Sequence, residues 1–248
     1  MTDRVPAEFT AEPAKRLGYW ATAAWAVVAF LVGQFAALGI MIWWRAGRLD
    51  AVFASPYDGI LVTLFILISN PVTIAILAAA AWLKGCNPAD YLGLYWPRRR
   101  DLMSSVGWLA LLIAAGDALL YFGSKDLVTP FQLQSYTTAA AEGWLPAMLL
   151  AAIVVAPVGE EILFRGFLFR GFVRPNRSPW LPIIAISVLW AVLHIQYDWA
   201  GVLQIYVIGM FLGYYRWRSG STLLTFVLHA LFNLEGTVET ILYVKHVI

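Results

Sequence analysis

The chain has 248 residues, 61% of them hydrophobic and only 13% charged, with a mean hydropathy of +0.72. Soluble domains carry about 25% charged residues, so a soluble globular domain is excluded. The net charge of +2 has no dense basic cluster behind it, which excludes nucleic acid as a partner, and the lone Cys86 excludes an internal disulfide or a cysteine-based metal site. What remains is an all-α fold, a polytopic helical membrane bundle forming a single transmembrane domain over residues 1–248.

Taken in order, residues 1–18 hold Asp3, Arg4, Glu8, Glu12, Lys15 and Arg16 together with Pro6 and Pro13, and read as a short cytosolic tail. The apolar run that follows exceeds the roughly 7 to 15 residues of a signal-peptide core, and no small-residue cleavage site closes it. It is expected to be a retained first span. Apolar runs predict spans at 19–44, 57–83, 103–123, 144–172, 180–197, 200–216 and 222–244, each judged against the roughly 20 residues that cross the hydrocarbon.

Orientation follows from the 17 lysines and arginines. With the N-terminus inside, twelve fall on the inner side: Arg4, Lys15, Arg16, Lys84, Arg98, Arg99, Arg100, Arg170, Arg174, Arg177, Arg216 and Arg218. Four fall outside (Arg45, Arg48, Lys125 and Lys245), and Arg165 lies in the membrane. Positive residues collect in the cytosol, so seven crossings are expected, N-in and C-out. A short eighth helix made from the last dozen residues stays open as an alternative. Trp20, Trp43, Trp96, Trp144 and Trp199 stand at span ends, as interfacial belts require. Residues 125–143 are too polar to span and are expected along the outer surface.

The run from Trp144 to Phe172 is interrupted by Gly159-Glu160-Glu161-Ile162-Leu163-Phe164-Arg165-Gly166. A charge at a span's centre costs about 2.5–3.5 kcal/mol, a cost seldom kept for packing alone. Glu161 and Arg165 are four apart with the acid first, which predicts an ion pair on one helix face. Glu160, about 100° round the helix, is left as the freer carboxylate.

Two of the three histidines fall in predicted spans: His194 in the fifth, after Trp190, and His229 in the seventh, one turn before Asn233. Glu160 precedes Arg174 by 14 residues, and His194 follows Trp180 by 14. Across the turn at 174–180 both therefore lie about 21 Å along antiparallel helices, and they are expected to meet. His229 comes out nearer 12 Å deep by the same rise, so tilt or another helix start must make up the difference. A carboxylate beside a histidine is equipped to deprotonate a water. A second histidine with an amide supplies the donors of an oxyanion hole. No serine or cysteine is placed as a covalent nucleophile.

This combination, EExxxR, a histidine four residues after an aromatic, and HxxxN, closely resembles the CPBP family of intramembrane endopeptidases, the CAAX protease and bacteriocin-processing group related to the type II CAAX prenyl protease. The resemblance covers residues 144–234. It implies that Glu160, Glu161 and Arg165 form the first motif, that Glu160 and His194 activate water, and that His229 and Asn233 bind the oxyanion. It also implies a peptide or protein substrate at the lipid bilayer, prenylated or not, and a multi-pass protein of the cell membrane, the bacterial inner membrane being the expected one. One departure is visible: the second motif usually begins with Phe, and here it begins with Trp190.

Zinc is the alternative to a bare carboxylate mechanism, since Glu160, His194 and His229 form a His2Glu set of the catalytic type, although no HExxH is present. Asn233 beside His229 favours a donor pair, and so no cofactor is expected. A non-proteolytic role, as a proton-coupled carrier or an immunity or binding factor, would use the same buried groups. Other polar residues read as structural: Asn70-Pro71 as a kink, Gln34 and Asp117 as helix contacts or cavity lining, and Glu235, Glu239 and His246 as solvated ends. Gly209 and Gly213 suit close helix packing.

Overall fold

The computed structural model describes residues 16–123 and 126–246. Most of the predicted tail, including Asp3, Arg4, Glu8, Glu12 and Lys15, and Lys125 of the outer segment, lie outside the described residues. The chain is 79% helical with no strand among the described residues, an all-α membrane bundle. In order the helices are α1 (Tyr19–Trp44), α2 (Leu49–Phe53), α3 (Gly59–Leu83), α4 (Pro88–Leu92), α5 (Arg99–Phe122), α6 (Pro130–Ala141), α7 (Leu145–Phe172), α8 (Trp180–Val192), α9 (Trp199–Ser219) and α10 (Thr222–Val244). Four of them, α1, α3, α5 and α7, are long and apolar enough to cross a membrane. α9 and α10, of 21 and 23 residues, have the length but carry polar residues such as Gln204, Arg216, His229 and Glu235.

Helix α7 is the axis of the bundle. Every residue from Glu161 to Gly171 is buried, the pattern of a helix enclosed on all sides. α3 crosses it at Gly159, where a Cβ would run into the Asn70 side chain. α3 itself continues through Pro71, with Asn70 Nδ2 donating back to the Ile66 carbonyl at 3.1 Å. On the other flank α8 and α9 pack closely at Gly209 and Gly213, against Ser187, Trp190 and Ile183, as the small residues lead one to expect.

The start of α10 is pinned by the α4 loop. Gly93 is left-handed (φ +69°), and its carbonyl accepts from Thr222 N at 2.8 Å, while Ser221 and Thr222 hydroxyls donate to the Tyr95 and Leu92 carbonyls. Ser221 Oγ also caps the helix, accepting from Leu224 N at 3.0 Å. These bonds set the register that brings His229 and Asn233 to α7.

Several expectations are corrected. The fifth predicted span is cut short, because α8 ends at Val192 and residues 193–198 form a turn. α9 continues to Ser219, three residues past its predicted end, and so Arg216 is not in an inner loop: it is fully buried, its Nε donating to the Arg165 carbonyl at 2.9 Å. Arg170 is likewise buried within α7. α5 begins at Arg99, taking Arg99, Arg100 and Asp101 into its first turn. Among the described residues the last dozen form no separate short helix, since α10 runs unbroken to Val244. The polar stretch expected on the outer surface contains a true helix, α6. Thr129 and Gln132 form its capping box, and it is tied to α3 by Thr138 Oγ1, which accepts from Gly59 N at 2.7 Å.

Candidate active site

Two stretches of α7, Ala151–Val155 and Ile162–Leu168, are wound as π-helix on either side of the short α-helical piece that carries Glu160 and Glu161. Such bulges disturb the backbone ladder and cluster at functional sites. In the π pattern the Ala152 carbonyl would pair with the residue five on, which is Pro157 and has no N–H. Asn233 supplies the missing donor, its Nδ2 lying 2.8 Å from the Ala152 oxygen. The amide carries two hydrogens, so one N–H of Asn233 remains without a partner among the described residues.

The two adjacent glutamates have opposite surroundings. Glu161 is fully buried; its Oε1 accepts from Arg165 Nη1 at 2.9 Å and from His229 Nδ1 at 3.0 Å. Arg165, 1% exposed, also donates from Nη2 to the Gly209 carbonyl at 3.2 Å and lies over the Trp190 ring at 4.5 Å. The ion pair is the one the i,i+4 spacing predicts. Glu160 keeps 26% of its side-chain surface and is the carboxylate open to the cavity.

His194 reaches Glu160 as the depth argument requires, Nε2 to Oε2 at 3.8 Å, but from the turn after α8 rather than from within a helix. That gap is long for a direct hydrogen bond, and a water beside it can bond to both groups. His194 Nδ1 sits 2.8 Å from the Trp190 carbonyl. A carbonyl only accepts, so Nδ1 carries a proton and Nε2 is the nitrogen offered to Glu160. The same logic holds for His229: Nδ1 donates to Glu161, which leaves Nε2 as its second functional atom.

The sequence marked Trp190 only as the aromatic residue that opens the second motif in place of Phe. Its indole Nε1 donates to Glu160 Oε2 at 2.6 Å. Nor did the sequence mark the Glu161–His229 bond, which joins residues 68 apart and leaves no local pattern to read.

A cavity of about 910 Å³ connects these groups. Glu160, Trp190, His194, His229 and Asn233 line one part of it, and Asp117, Glu235 and Glu239 another. Asp117 lines the cavity, one of the two roles expected of it; Glu235 and Glu239, expected as solvated ends, are instead half-buried and face it, with oxygens from all three within 4.8 Å. The cause is that α5 packs beside α10 at the level of Asp117. His246 is exposed, as expected.

Zinc ligands at about 2.0–2.2 Å in a tetrahedron lie within roughly 3.5 Å of one another. Asp117, Glu235 and Glu239 are the trio of ligand-type groups among the described residues whose atoms fall within 4.8 Å of each other; Glu160, His194 and His229 are spread wider. As placed, that His2Glu set does not fit a zinc ion.

A family model described as type II CAAX prenyl endopeptidase Rce1-like matches residues 142–234, two residues more at its start than the resemblance read from the motifs. The matched stretch contains Glu160, Glu161, Arg165, Trp190, His194, His229 and Asn233. No curated protein and no solved structure matches the chain.

Proposed function

From the match of residues 142–234 to the type II CAAX prenyl endopeptidase family model, we infer that this multi-pass membrane protein is an intramembrane endopeptidase that hydrolyses a peptide bond with a water activated by Glu160 and His194. The observation that carries the reading is the Glu160–His194 pair. It combines a cavity-facing carboxylate with an imidazole whose Nε2 is aimed at it, 3.8 Å away, by the Nδ1 bond to Trp190.

Glu160 takes a proton from the water held between it and His194, and the water oxygen bonds to the scissile carbonyl carbon as the C=O π electrons move to oxygen. The oxyanion accepts from the second N–H of Asn233 and from Nε2–H of His229. Because His229 Nδ1 already donates to Glu161, its Nε2 can donate only from the imidazolium form, and Glu161 is placed to balance that charge. Collapse breaks the C–N bond, and the proton held by Glu160 passes to the departing amine. Glu161 and Arg165 act through His229 and through packing.

The reading is metal-independent and places the protein in the cell membrane, N-terminus in the cytosol, acting on membrane-associated peptides. Its test is cleavage of prenylated and unprenylated peptides by detergent-purified protein, with and without chelator. Turnover that survives chelation is expected. Turnover lost to chelator and restored by zinc would overturn the metal-independent chemistry, and no turnover on any peptide would overturn the enzyme.

Asn233→Ala is expected to lower kcat by about 10²–10³-fold, the effect of one oxyanion donor. It should also cost stability, about 1–3 kcal/mol, because the Ala152 carbonyl is left without its partner. Kinetics alongside thermal unfolding separates the two losses; a variant destabilised but catalytically normal would confine Asn233 to its structural bond.

A further inference from the structure

We propose that Trp190 is a positioning residue for the general base, fixing which oxygen of Glu160 receives the proton from water; this rests on Glu160 being that base. The indole N–H is a donor and never an acceptor, so its 2.6 Å contact with Oε2 requires a lone pair there, and the bond is strongest when Glu160 is a carboxylate. Oε2 is also the oxygen 3.8 Å from His194 Nε2. Oε1 has no hydrogen bond among the described residues, so the indole alone keeps Oε2, which retains a second lone pair, turned to the water beside His194 and to its proton.

The indole is itself held rigidly. Trp190 is 1% exposed, and its six-membered ring would meet a Cβ at Gly209, so α9 closes over it. Its ring stands edge-on to His194 (centroids 5.2 Å apart, 77°) and to His229 (5.1 Å, 80°), and the Arg165 guanidinium covers it at 4.5 Å. One side chain thus sets the Glu160 carboxylate by a hydrogen bond and both imidazoles by contact. A phenylalanine here would keep the ring contacts and lose the N–H. In this chain the second motif therefore does more than wall the cavity.

The test is Trp190→Phe, with kinetics beside the ¹⁵N-indole NMR spectrum of the detergent-solubilised protein. The variant is expected to unfold at the wild-type temperature, to keep KM, and to lose kcat by roughly ten- to a hundredfold, the scale of a misplaced catalytic group. The indole resonance that disappears in Trp190→Phe should lie downfield in the wild type and move upfield in Glu160→Gln, where the acceptor is neutral. A Trp190→Phe enzyme with wild-type kcat beside an active wild type would overturn the role of Trp190 and leave the protease reading standing. Wild-type protein that cleaves nothing would overturn both. Should Trp190→Phe not fold, the downfield indole signals decide: if none of them moves upfield in Glu160→Gln, the proposal is overturned.

Discussion

Glu160→Gln is expected to lower kcat by about 10²–10⁴-fold while the bundle stays folded, because that is the range a positioned general base contributes. Glutamine is close to isosteric, and its carbonyl oxygen can still accept from Trp190 Nε1, so the change removes the basic oxygen with little loss of packing. Glu160 takes no part in the Glu161–Arg165–His229 network, whose hydrogen bonds should survive. Quantified peptide cleavage together with circular dichroism checks both halves of the expectation. A folded Glu160→Gln protein cleaving at the wild-type rate would remove Glu160 from the chemistry.

The largest stability effect is expected at the other glutamate. Removing one partner of a buried ion pair leaves an uncompensated charge, which costs about 3–5 kcal/mol. Glu161 and Arg165 are 0% and 1% exposed, so solvent does not screen the loss. Arg165→Ala also gives up the Gly209 carbonyl and the cover over Trp190; Glu161→Ala frees the His229 ring to turn. Both variants should unfold at markedly lower temperature and lose cleavage. Arg165→Lys should not restore them, because an ammonium on a flexible stem cannot bond Glu161, bond Gly209 and stack on Trp190 together. Replacing both by a matched apolar pair should recover stability without activity. Wild-type unfolding temperatures in the single variants would contradict this picture.

The bundle was legible because its driving pattern is one-dimensional: apolar stretches of spanning length mark α1, α3, α5 and α7 directly. The Glu161–Arg165 pair was legible for a similar reason, since four-residue spacing on a helix fixes who is beside whom. The meeting of Glu160 and His194 followed from equal depth on neighbouring helices, and it survives even though α8 stops at Val192, because His194 stays bonded to the end of that helix, its backbone N to the Ala191 carbonyl at 3.0 Å and its Nδ1 to the Trp190 carbonyl at 2.8 Å.

What stayed hidden depends on rotation and on neighbours distant in sequence. The partner of His229 is set by the anchoring of α10 on the Gly93–Tyr95 loop, which no periodicity in 222–244 records. The indole of Trp190 is a donor in any sequence, but where it points depends on the close α8–α9 contact at Gly209. Arg216 looked like a loop cation because it stands near the end of an apolar run; its guanidinium is instead folded between α7 and the α4 loop. Glu235 and Glu239 looked like solvated ends because nothing in α10 alone reveals Asp117 opposite them.

In the proposed chemistry a water, not a protein nucleophile, attacks the peptide carbonyl with Glu160 as its base. Single-turnover cleavage in heavy-oxygen water tests this most directly, read by mass spectrometry of both the released peptide and the protein. The heavy label is expected in the new carboxylate of the product from the first turnover, with no acylated protein and no label transfer in Glu160→Gln. An acyl-protein adduct preceding release, or unlabelled product from that first turnover, would contradict it.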